Sequence, residues 1–222
     1  MRILKLKTNK LFYNKWPYKV ECKIAKANYI ARLGLPRVKS WIDGDTKDNF
    51  LWKGANKEEV LQFINQLEPI ATKDFQIRSE SNTFSFYVKD PTILKEITSR
   101  FNKWIVTITE PANEAEYNFL VSNTAKKILC NSYPKGKYRY KIYIKPNMQP
   151  NNREQFLLWA QRYGDKFNIL GSTKKWLAGD KKWAMDPFLY VLDDSTLSLT
   201  GLYLGSSVKK VEEFIPRSKI NS

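Results

Sequence analysis

The sequence predicts an α+β protein built from two similar halves, and three observations support this prediction. The segment Lys39-Ser40-Trp41-Ile42-Asp43-Gly44-Asp45-Thr46-Lys47 is echoed by Lys174-Lys175-Trp176-Leu177-Ala178-Gly179-Asp180-Lys181-Lys182. Strand-like and helix-like apolar patterns also follow one another in the same order in both halves. The excess positive charge lies in two stretches that occupy matching places. Because self-similarity identifies the folding unit, we interpret the sequence as a duplication.

The first strand of each half is predicted from alternation. Tyr18–Ile24 and Tyr140–Lys145 place lysines beside aliphatic residues with a period of two, which is typical of a strand with one buried face. A helix is predicted next in each half. It begins at Asn56 in the first half and at Asn152 in the second, because both residues precede early carboxylates and apolar residues at helical spacing.

Two strands, a second helix and a closing strand complete each half. Asp90 and Asp193 are predicted to cap the second helices, since each follows a strand-like run. The matched segments, with the first half before the second, are Phe75–Ile77 and Phe167–Ile169, Phe86–Asp90 and Leu189–Asp193, Ile93–Phe101 and Thr196–Leu204, and Trp104–Thr109 and Val208–Ile215.

This order is the ferredoxin-like βαββαβ arrangement, in which helices cover one face of an antiparallel sheet and leave the other face open. We predict one such half over residues 1–115 and another over 116–222. The first half carries an insert at about 25–55, and the second carries a Trp- and Lys-rich loop at about 171–186. Because the repeated Trp segment lies at different places in the two halves, its echo can be convergent. A single mixed α+β domain is the alternative.

Composition limits the class of protein. The chain has 222 residues, of which 42% are hydrophobic and thirty-one are aromatic, enough for a packed core. It contains no apolar run of about 18 residues and no signal-peptide pattern at its start, so we expect a cytoplasmic protein without membrane spans. Cys22 and Cys130 lie in strand-like contexts, and we expect both to be buried, reduced thiols.

The chain contains no histidine, which removes several kinds of catalytic site. Ser-His and Cys-His pairs, histidine-ligated zinc and the two-histidine metal site of nicking enzymes are all excluded. Its nine glycines form neither a phosphate loop nor a dinucleotide fingerprint. We therefore predict no cofactor and no metal site, and any catalysis would use carboxylates, lysine or tyrosine.

The formal net charge of +16 is distributed unevenly. Residues 1–26 contain eight basic residues and one acidic residue, and residues 126–182 contain fourteen and three. Both stretches include a predicted first strand, which is central in this topology. Strict alternation turns the following side chains away from the helices: Lys19, Lys23, Arg139, Lys141, Tyr143 and Lys145. Two basic stripes are therefore predicted across the open sheet faces.

Basic side chains mixed with aromatic rings suit single-stranded nucleic acid. Lysine and arginine neutralise phosphates, and a base stacked on an exposed ring contributes about 1–3 kcal/mol. Tyr87 is a predicted stacking platform, and the segment with Trp176 and Trp183 is the most binding-like loop. The flanking lysines of that loop are Lys174, Lys175, Lys181 and Lys182. Alternatively, both tryptophans anchor the loop in the core and the lysines are merely solvated.

The predicted topology and surface chemistry resemble RNA-recognition-type sheets and other ferredoxin-like nucleic-acid modules. The resemblance is limited to topology, because the third strand, Thr83–Val88, lacks their glycine- and aromatic-rich signature. The 29 lysines outnumber the nine arginines, which favours phosphate contacts over reading of guanine. Sequence specificity is therefore expected to be weak.

Two acidic groups give an enzymatic alternative. Asp43 and Asp45 would hold a divalent cation for phosphoryl transfer, and Asp193 with Asp194 resembles the paired aspartates of palm-type polymerases. A turn explains the first group and helix capping explains the second. The sequence therefore favours a protein that is not an enzyme.

We expect a protein that binds single-stranded RNA or DNA, acting in replication or RNA handling in a phage, a virus or a microbe. No membrane partner is expected, and self-association or an assembly partner is left open. Two alternatives are a metal-dependent nuclease or nucleotidyl transferase and a structural or coat protein with a basic surface facing nucleic acid.

Overall fold

The computed structural model describes residues 2–44, 47, 50–70, 74–122 and 126–220. These residues form two mixed α+β units, Met1–Val121 and Ser122–Ser222. Eight α-helices and two five-stranded sheets are present in the described ranges. None of these helices has the length and apolarity needed to cross a lipid bilayer.

The first unit begins with a strand at the edge of its sheet. Its elements are β1 (Leu4–Lys7), β2 (Tyr18–Lys23), α1 (Ala27–Leu33), α2 (Leu35–Ile42), α3 (Lys57–Leu67), β3 (Phe75–Glu80), β4 (Thr83–Val88), α4 (Pro91–Arg100), β5 (Ile105–Glu110) and α5 (Glu114–Ser122). The strand order is β1-β5-β2-β4-β3, with β1 parallel to β5 and the other neighbours antiparallel. The insert predicted at about 25–55 contains α1 and α2.

The second unit repeats this arrangement. Its elements are β6 (Lys127–Cys130), β7 (Tyr140–Ile144), α6 (Pro150–Arg162), β8 (Phe167–Ile169), α7 (Gly171–Leu177), β9 (Phe188–Val191), α8 (Asp194–Leu204) and β10 (Val208–Pro216). The strand order β6-β10-β7-β9-β8 matches the first unit strand for strand, again with the edge strand parallel to its neighbour. The internal repeat therefore extends to the order and direction of every strand.

The edge strands β1 and β6 were not predicted from the sequence, and they make each sheet mixed rather than antiparallel. Leu and Lys alternate in β1, but all four residues are exposed, including Leu4 at 56% and Leu6 at 45%, so the alternation does not mark a buried side. It forms because β5 offers unpaired backbone groups at its edge. Strand β1 is therefore specified by its neighbour, whereas β6 contributes the buried Leu129.

The central strands follow the predicted alternation. In β2, Val20 and Cys22 are fully buried in the core beneath the helices, while Lys19 and Glu21 lie on the opposite side, which we call the outward face. Tyr140 and Ile142 of β7 are buried in the core of the second unit in the same way. Both cysteines are free thiols, and burial raises the pKa of Cys22, whereas Cys130 is only half-buried.

The helix starts are confirmed at three of four positions. Asn56 accepts a hydrogen bond from the Glu59 amide, and Asp90 and Asp193 cap α4 and α8 in the same manner. The fourth start is wrong, because α6 begins at Pro150 rather than after Asn152. Proline suits the first helical position, where its missing N–H has no partner to lose.

The boundary between the units lies later than the sequence-based division after residue 115. That division falls inside α5, whose Tyr117 ring stacks on Tyr18 of β2 with centroids 5.8 Å apart. This contact packs α5 against the first unit. The division between the units falls in the last turn of α5, between Val121 and Ser122.

The repeated Trp segments adopt the same local structure. Trp41 and Trp176 lie in the last turns of α2 and α7, and each helix is followed by a glycine with positive φ, +114° at Gly44 and +84° at Gly179. The two helices occupy different places in the chain order, because α2 precedes α3 whereas α7 lies between β8 and β9. The segment predicted as a loop at about 171–186 therefore begins with a helix.

A shared contact explains the echo despite this difference. Near the start of α3, Lys57 Nζ lies 5.2 Å from the Trp41 ring centroid and donates to the Trp41 carbonyl oxygen at 3.2 Å. Near the start of α6, the Arg153 guanidinium lies 4.9 Å from the Trp176 centroid and donates to the Trp176 carbonyl at 3.3 Å. Since α3 and α6 are equivalent helices, both units hold a tryptophan against the same position.

Candidate nucleic-acid interface

The outward face of the first sheet is covered by the segment between β1 and β2. The Phe12 and Tyr13 rings of this segment lie 5.6 Å and 5.0 Å from the Tyr87 ring. Tyr87 is only 5% exposed, and burial raises the pKa of its phenol to about 12. The prediction that Tyr87 is an exposed stacking platform is therefore wrong.

Polar contacts hold this covering segment in place. Trp16 is buried and its Nε1 donates to Gln76 Oε1 at 3.0 Å, while Arg78 donates to the Tyr13 hydroxyl at 2.7 Å. Gln76 and Arg78 both belong to β3, so the segment reaches across the sheet. Its three aromatic residues in five positions were the sequence signal that would have indicated a cover.

The predicted basic stripe of the first unit is not a continuous cationic surface. Lys19 Nζ lies 2.5 Å from the carboxylate of Glu21, which follows it on the same face of β2. Lys23 is exposed at the end of the strand. Because Glu21 lies between the two lysines and pairs with Lys19, the predicted stripe is interrupted.

Aromatic and basic side chains come together on the outward face of the second sheet. Tyr143 of β7 and Phe188 of β9 are cross-strand partners with ring centroids 5.7 Å apart. Lys141 Nζ lies 3.7 Å from the Phe188 centroid and 4.5 Å from that of Tyr143. Lys210 of β10 lies 5.3 Å from the Tyr143 centroid. We call these four half-buried residues the aromatic-lysine cluster.

A buried carboxylate orders this cluster. Glu212 is 2% exposed, and it accepts hydrogen bonds from the Tyr143 hydroxyl at 3.0 Å and from Lys210 Nζ. Burial and the neighbouring Glu212 charge raise the pKa of the Tyr143 phenol, so the phenol stays a neutral donor. The carboxylate fixes the Tyr143 ring and compensates part of the lysine charge.

The aromatic surface continues along β9. The centroid of the Tyr190 ring lies 5.6 Å from that of Phe188. Tyr138, in the segment between β6 and β7, stacks on Tyr190 with centroids 6.3 Å apart. Tyr138 donates its hydroxyl proton to the Asp165 carbonyl at 3.0 Å, which anchors it on the side of β8. Tyr138 thus covers Tyr190 on the outward face, next to the aromatic-lysine cluster.

Strand register shows how the units differ on this face. In the first unit Glu21 pairs with Ser85 and Thr107, whereas in the second Tyr143 pairs with Phe188 and Lys210. Tyr143 thus stands where the first unit has Glu21. Its partners Phe188 and Lys210 stand where the first unit has Ser85 and Thr107. The binding-like chemistry belongs to the second unit, although both units share one strand arrangement.

The two tryptophans of the predicted binding loop have opposite environments. Trp176 is fully buried beside α6, so the prediction that it stacks on a base is wrong. Trp183 is 76% exposed. The lysines of this segment are exposed as predicted, namely Lys174, Lys175, Lys181 and Lys182. Trp183 and Phe188 line one pocket, which joins the loop to the aromatic-lysine cluster.

Two further residues were predicted to bind nucleic acid: Arg139 forms ion pairs within the second unit, and Lys145 is exposed to solvent. Arg139 Nη1 lies 2.6 Å from Asp194, and its Nη2 lies 2.6 Å from Glu213. These pairs tie β7 to α8 and β10, so Arg139 has a structural role. Lys145 is exposed directly after β7.

The aspartates of the enzymatic alternative have structural partners or lie apart. Asp193 caps α8, and hydrogen bonds from Thr196 lower the pKa of its carboxyl group. Asp194 accepts hydrogen bonds from Tyr140 and Arg139. Asp43 is exposed at the end of α2, and Asp45 lies outside the described residues. Within the described ranges, no three His, Cys, Asp or Glu side chains form a group able to hold a metal ion.

The chain matches no protein-family model, and neither a curated protein nor a solved structure is significantly similar to it. Functional inference for this protein therefore depends on its own residues and their geometry. In the second unit, β7, β9, β10 and the loop before β9 bring exposed cations together with partly accessible rings.

Proposed function

We propose that the protein binds single-stranded nucleic acid through the outward face of its second unit, with weak sequence specificity, in replication or RNA handling. The observation that carries this proposal is the aromatic-lysine cluster. It adjoins Lys181, Lys182 and Trp183 through the shared pocket that Phe188 lines. Rings and cations therefore form one connected surface.

The physical case rests on what a single strand offers that a duplex hides. Unpaired bases expose their faces, and stacking a base on an aromatic side chain contributes about 1–3 kcal/mol. The surrounding lysines neutralise phosphates, which supplies affinity without selecting a sequence. Lysine lacks the planar fork with which arginine reads guanine, so these contacts favour weak specificity.

The charge of the second unit suits this role. Residues 122–222 contain 18 basic and eight acidic residues, whereas residues 1–121 contain 20 and 14. The larger excess thus accompanies the unit that carries the aromatic-lysine cluster. A positive surface also steers a polyanion toward its site.

We also propose that each unit is a ferredoxin-like βαββαβ fold extended by one edge strand. In support, the four strands other than β1 or β6 lie in the order last, first, third, second, which is β5-β2-β4-β3 in one unit and β10-β7-β9-β8 in the other. All neighbours within these four are antiparallel. In this arrangement the outward face is the natural surface for a ligand, opposite the helices.

Fluorescence anisotropy with labelled oligo-dT, oligo-U and a duplex of equal length tests the nucleic-acid proposal. We expect tighter binding of the single strands and an affinity that falls linearly in a log-log plot against salt. Lys181→Glu with Lys182→Glu should weaken binding of all single strands and lower the salt slope by about 1 for each phosphate that is no longer neutralised.

Lys53→Glu with Lys95→Glu is the matched control. Both lysines are exposed in the first unit, and the double substitution changes the net charge equally. It should reduce affinity far less, because neither residue is part of the proposed surface of the second unit. Equal weakening by the two pairs would contradict the assignment, as would preferential binding of the duplex.

A further inference from the structure

A pocket of about 580 Å³ lies between α7 and the segment that leads into β9. Among its lining residues, Thr173, Pro187 and Phe188 are buried or half-buried, and we call them the inner wall; Trp183 and Met185 are exposed, and we call them the outer wall. Lys181 and Lys182 also line it. Its volume lies within the range of roughly 300–1,000 Å³ that is typical of small-molecule sites.

The inner wall is held by hydrogen bonds in the folded protein. The Phe188 amide donates to Thr173 Oγ1 at 3.3 Å, which joins β9 to α7. The Pro187 carbonyl oxygen accepts from the Ile144 amide at 2.8 Å. Asp186, which also lines the pocket, pairs with Lys209 at 2.5 Å, so its carboxylate charge is compensated. This side of the pocket is preorganised.

The outer wall presents large apolar side chains to solvent. Trp183 is 76% exposed and Met185 is 82% exposed. The other tryptophans are far less accessible: Trp16, Trp41, Trp52, Trp104 and Trp176 are at most 5% exposed, and Trp159 is half-buried. Trp183 is thus the most exposed indole of the protein, and it lines the pocket.

We propose that this pocket receives one unpaired nucleotide, with its base between Trp183 and Phe188 and its phosphate beside Lys181 and Lys182. The inference rests on the proposed function and adds the place where a base is held. Rings on two walls match the two faces of a base, and the lysines complement the phosphate charge. Because Phe188 also belongs to the aromatic-lysine cluster, the bound nucleic acid would continue from this pocket onto the outward face of the sheet.

Tryptophan emission of the full-length protein tests this inference. Oligo-dT should quench the exposed Trp183 indole, whereas an abasic oligonucleotide of equal length and charge should not. Trp183→Ala should weaken oligo-dT binding by about 5- to 100-fold, the reduction expected for one stacked base, and leave the affinity for the abasic strand unchanged. Trp183→Phe should restore most of the affinity for oligo-dT.

Leu202→Ala is the matched control, because Leu202 is a large apolar residue of the same unit with 83% exposure, and we expect oligo-dT affinity to stay the same. Oligo-dT binding without quenching, or without weakening in Trp183→Ala, would overturn the nucleotide pocket and leave the proposed function standing. Equal affinity of the wild-type protein for oligo-dT and the abasic strand would overturn the nucleotide pocket and would also remove base stacking from the proposed function, leaving only phosphate contacts. Failure of every oligonucleotide to bind would overturn both.

Discussion

Trp176 and Trp183 lie in one lysine-rich segment, yet the structure places one in the core and the other in solvent. The helix α7 turns Trp176 toward α6, where Arg153 covers its ring. The helix ends at Leu177, and Gly179 with its positive φ redirects the chain, so Trp183 follows outside the helix. Of these two rings, Trp183 is therefore the one that can meet a base.

Asp193 supports a residue-scale prediction about stability and pH. Asp193→Ala should destabilise the protein by about 0.5–2 kcal/mol at pH 7, because the capping carboxylate accepts hydrogen bonds at the start of α8. These bonds lower its native pKa below the unfolded value of about 3.9. The stabilisation is therefore fully present above that value and is lost as pH falls through the native pKa.

Urea denaturation of the wild type and Asp193→Ala across the acid range measures this effect. The difference in unfolding free energy should shrink as the pH falls below about 4. Asp193→Asn is the control, since its side chain still accepts the capping bond but does not titrate. A difference between wild type and Asp193→Ala that stays constant with pH would contradict the capping role of the carboxylate.

At the scale of elements, the two Trp-bearing helices show that a sequence echo can encode a contact. Helices α2 and α7 lie at different points of the chain order, but each places its tryptophan near the start of the helix that precedes the next strand, α3 before β3 or α6 before β8. The basic residue that makes the cation–π contact, Lys57 or Arg153, also donates a hydrogen bond to the carbonyl oxygen of the same tryptophan. The repeat thus preserves a docking position.

This contact predicts unequal costs for two matched substitutions. Arg153 is 8% exposed over a fully buried ring, whereas Lys57 is exposed. A desolvated cation–π contact contributes about 2 kcal/mol and an exposed one about 0.5–1 kcal/mol. With the hydrogen bond included, Arg153→Ala should cost about 2–3 kcal/mol and Lys57→Ala less than about 1.5 kcal/mol. Urea denaturation measures both, and equal costs would argue against the burial-based explanation.

The segments that precede β2 and β7 form a second pair of equivalent elements. Trp16 and Tyr138 each lie two residues before β2 or β7, are buried, and hydrogen-bond to groups on the β3 or β8 side of the sheet. The first segment also carries Phe12 and Tyr13 over Tyr87. Differences in these covering segments, together with the strand residues beneath them, separate a closed face from a binding-like one.

At the scale of the whole molecule, each unit has its own core. Buried residues of Met1–Val121 form one hydrophobic cluster and those of Ser122–Ser222 form another. About 100 residues suffice for an independent domain. We therefore expect fragments 1–121 and 122–222 to fold separately.

Oligonucleotide binding should follow the second fragment. Circular dichroism will check that each fragment is folded, and fluorescence anisotropy at several salt concentrations will compare their affinities. Fragment 122–222 should retain most of the single-strand affinity of the full chain, since it contains the aromatic-lysine cluster and the Trp183 pocket. Stronger binding by fragment 1–121, measured at equal salt, would contradict the placement of the interface.

The sequence by itself determined the elements whose causes are local. The caps at Asn56, Asp90 and Asp193 depend on hydrogen bonds to residues two or three positions away. The alternation in β2 and β7 records which side chains avoid water, and the charge excess in residues 126–182 can be counted directly. The repeated order of strands and helices follows from these patterns.

Tertiary structure alone decided the edge strands and the accessibility of each ring. Strand β1 has no buried side of its own and exists through pairing with β5, about 100 residues away in the chain. The Tyr87 ring is covered by Phe12 and Tyr13, whereas Phe188 and Trp183 line a pocket. Periodicity reports the side of an element that a residue occupies, whereas exposure depends on which distant segment packs over that side, and only the folded chain brings the two together.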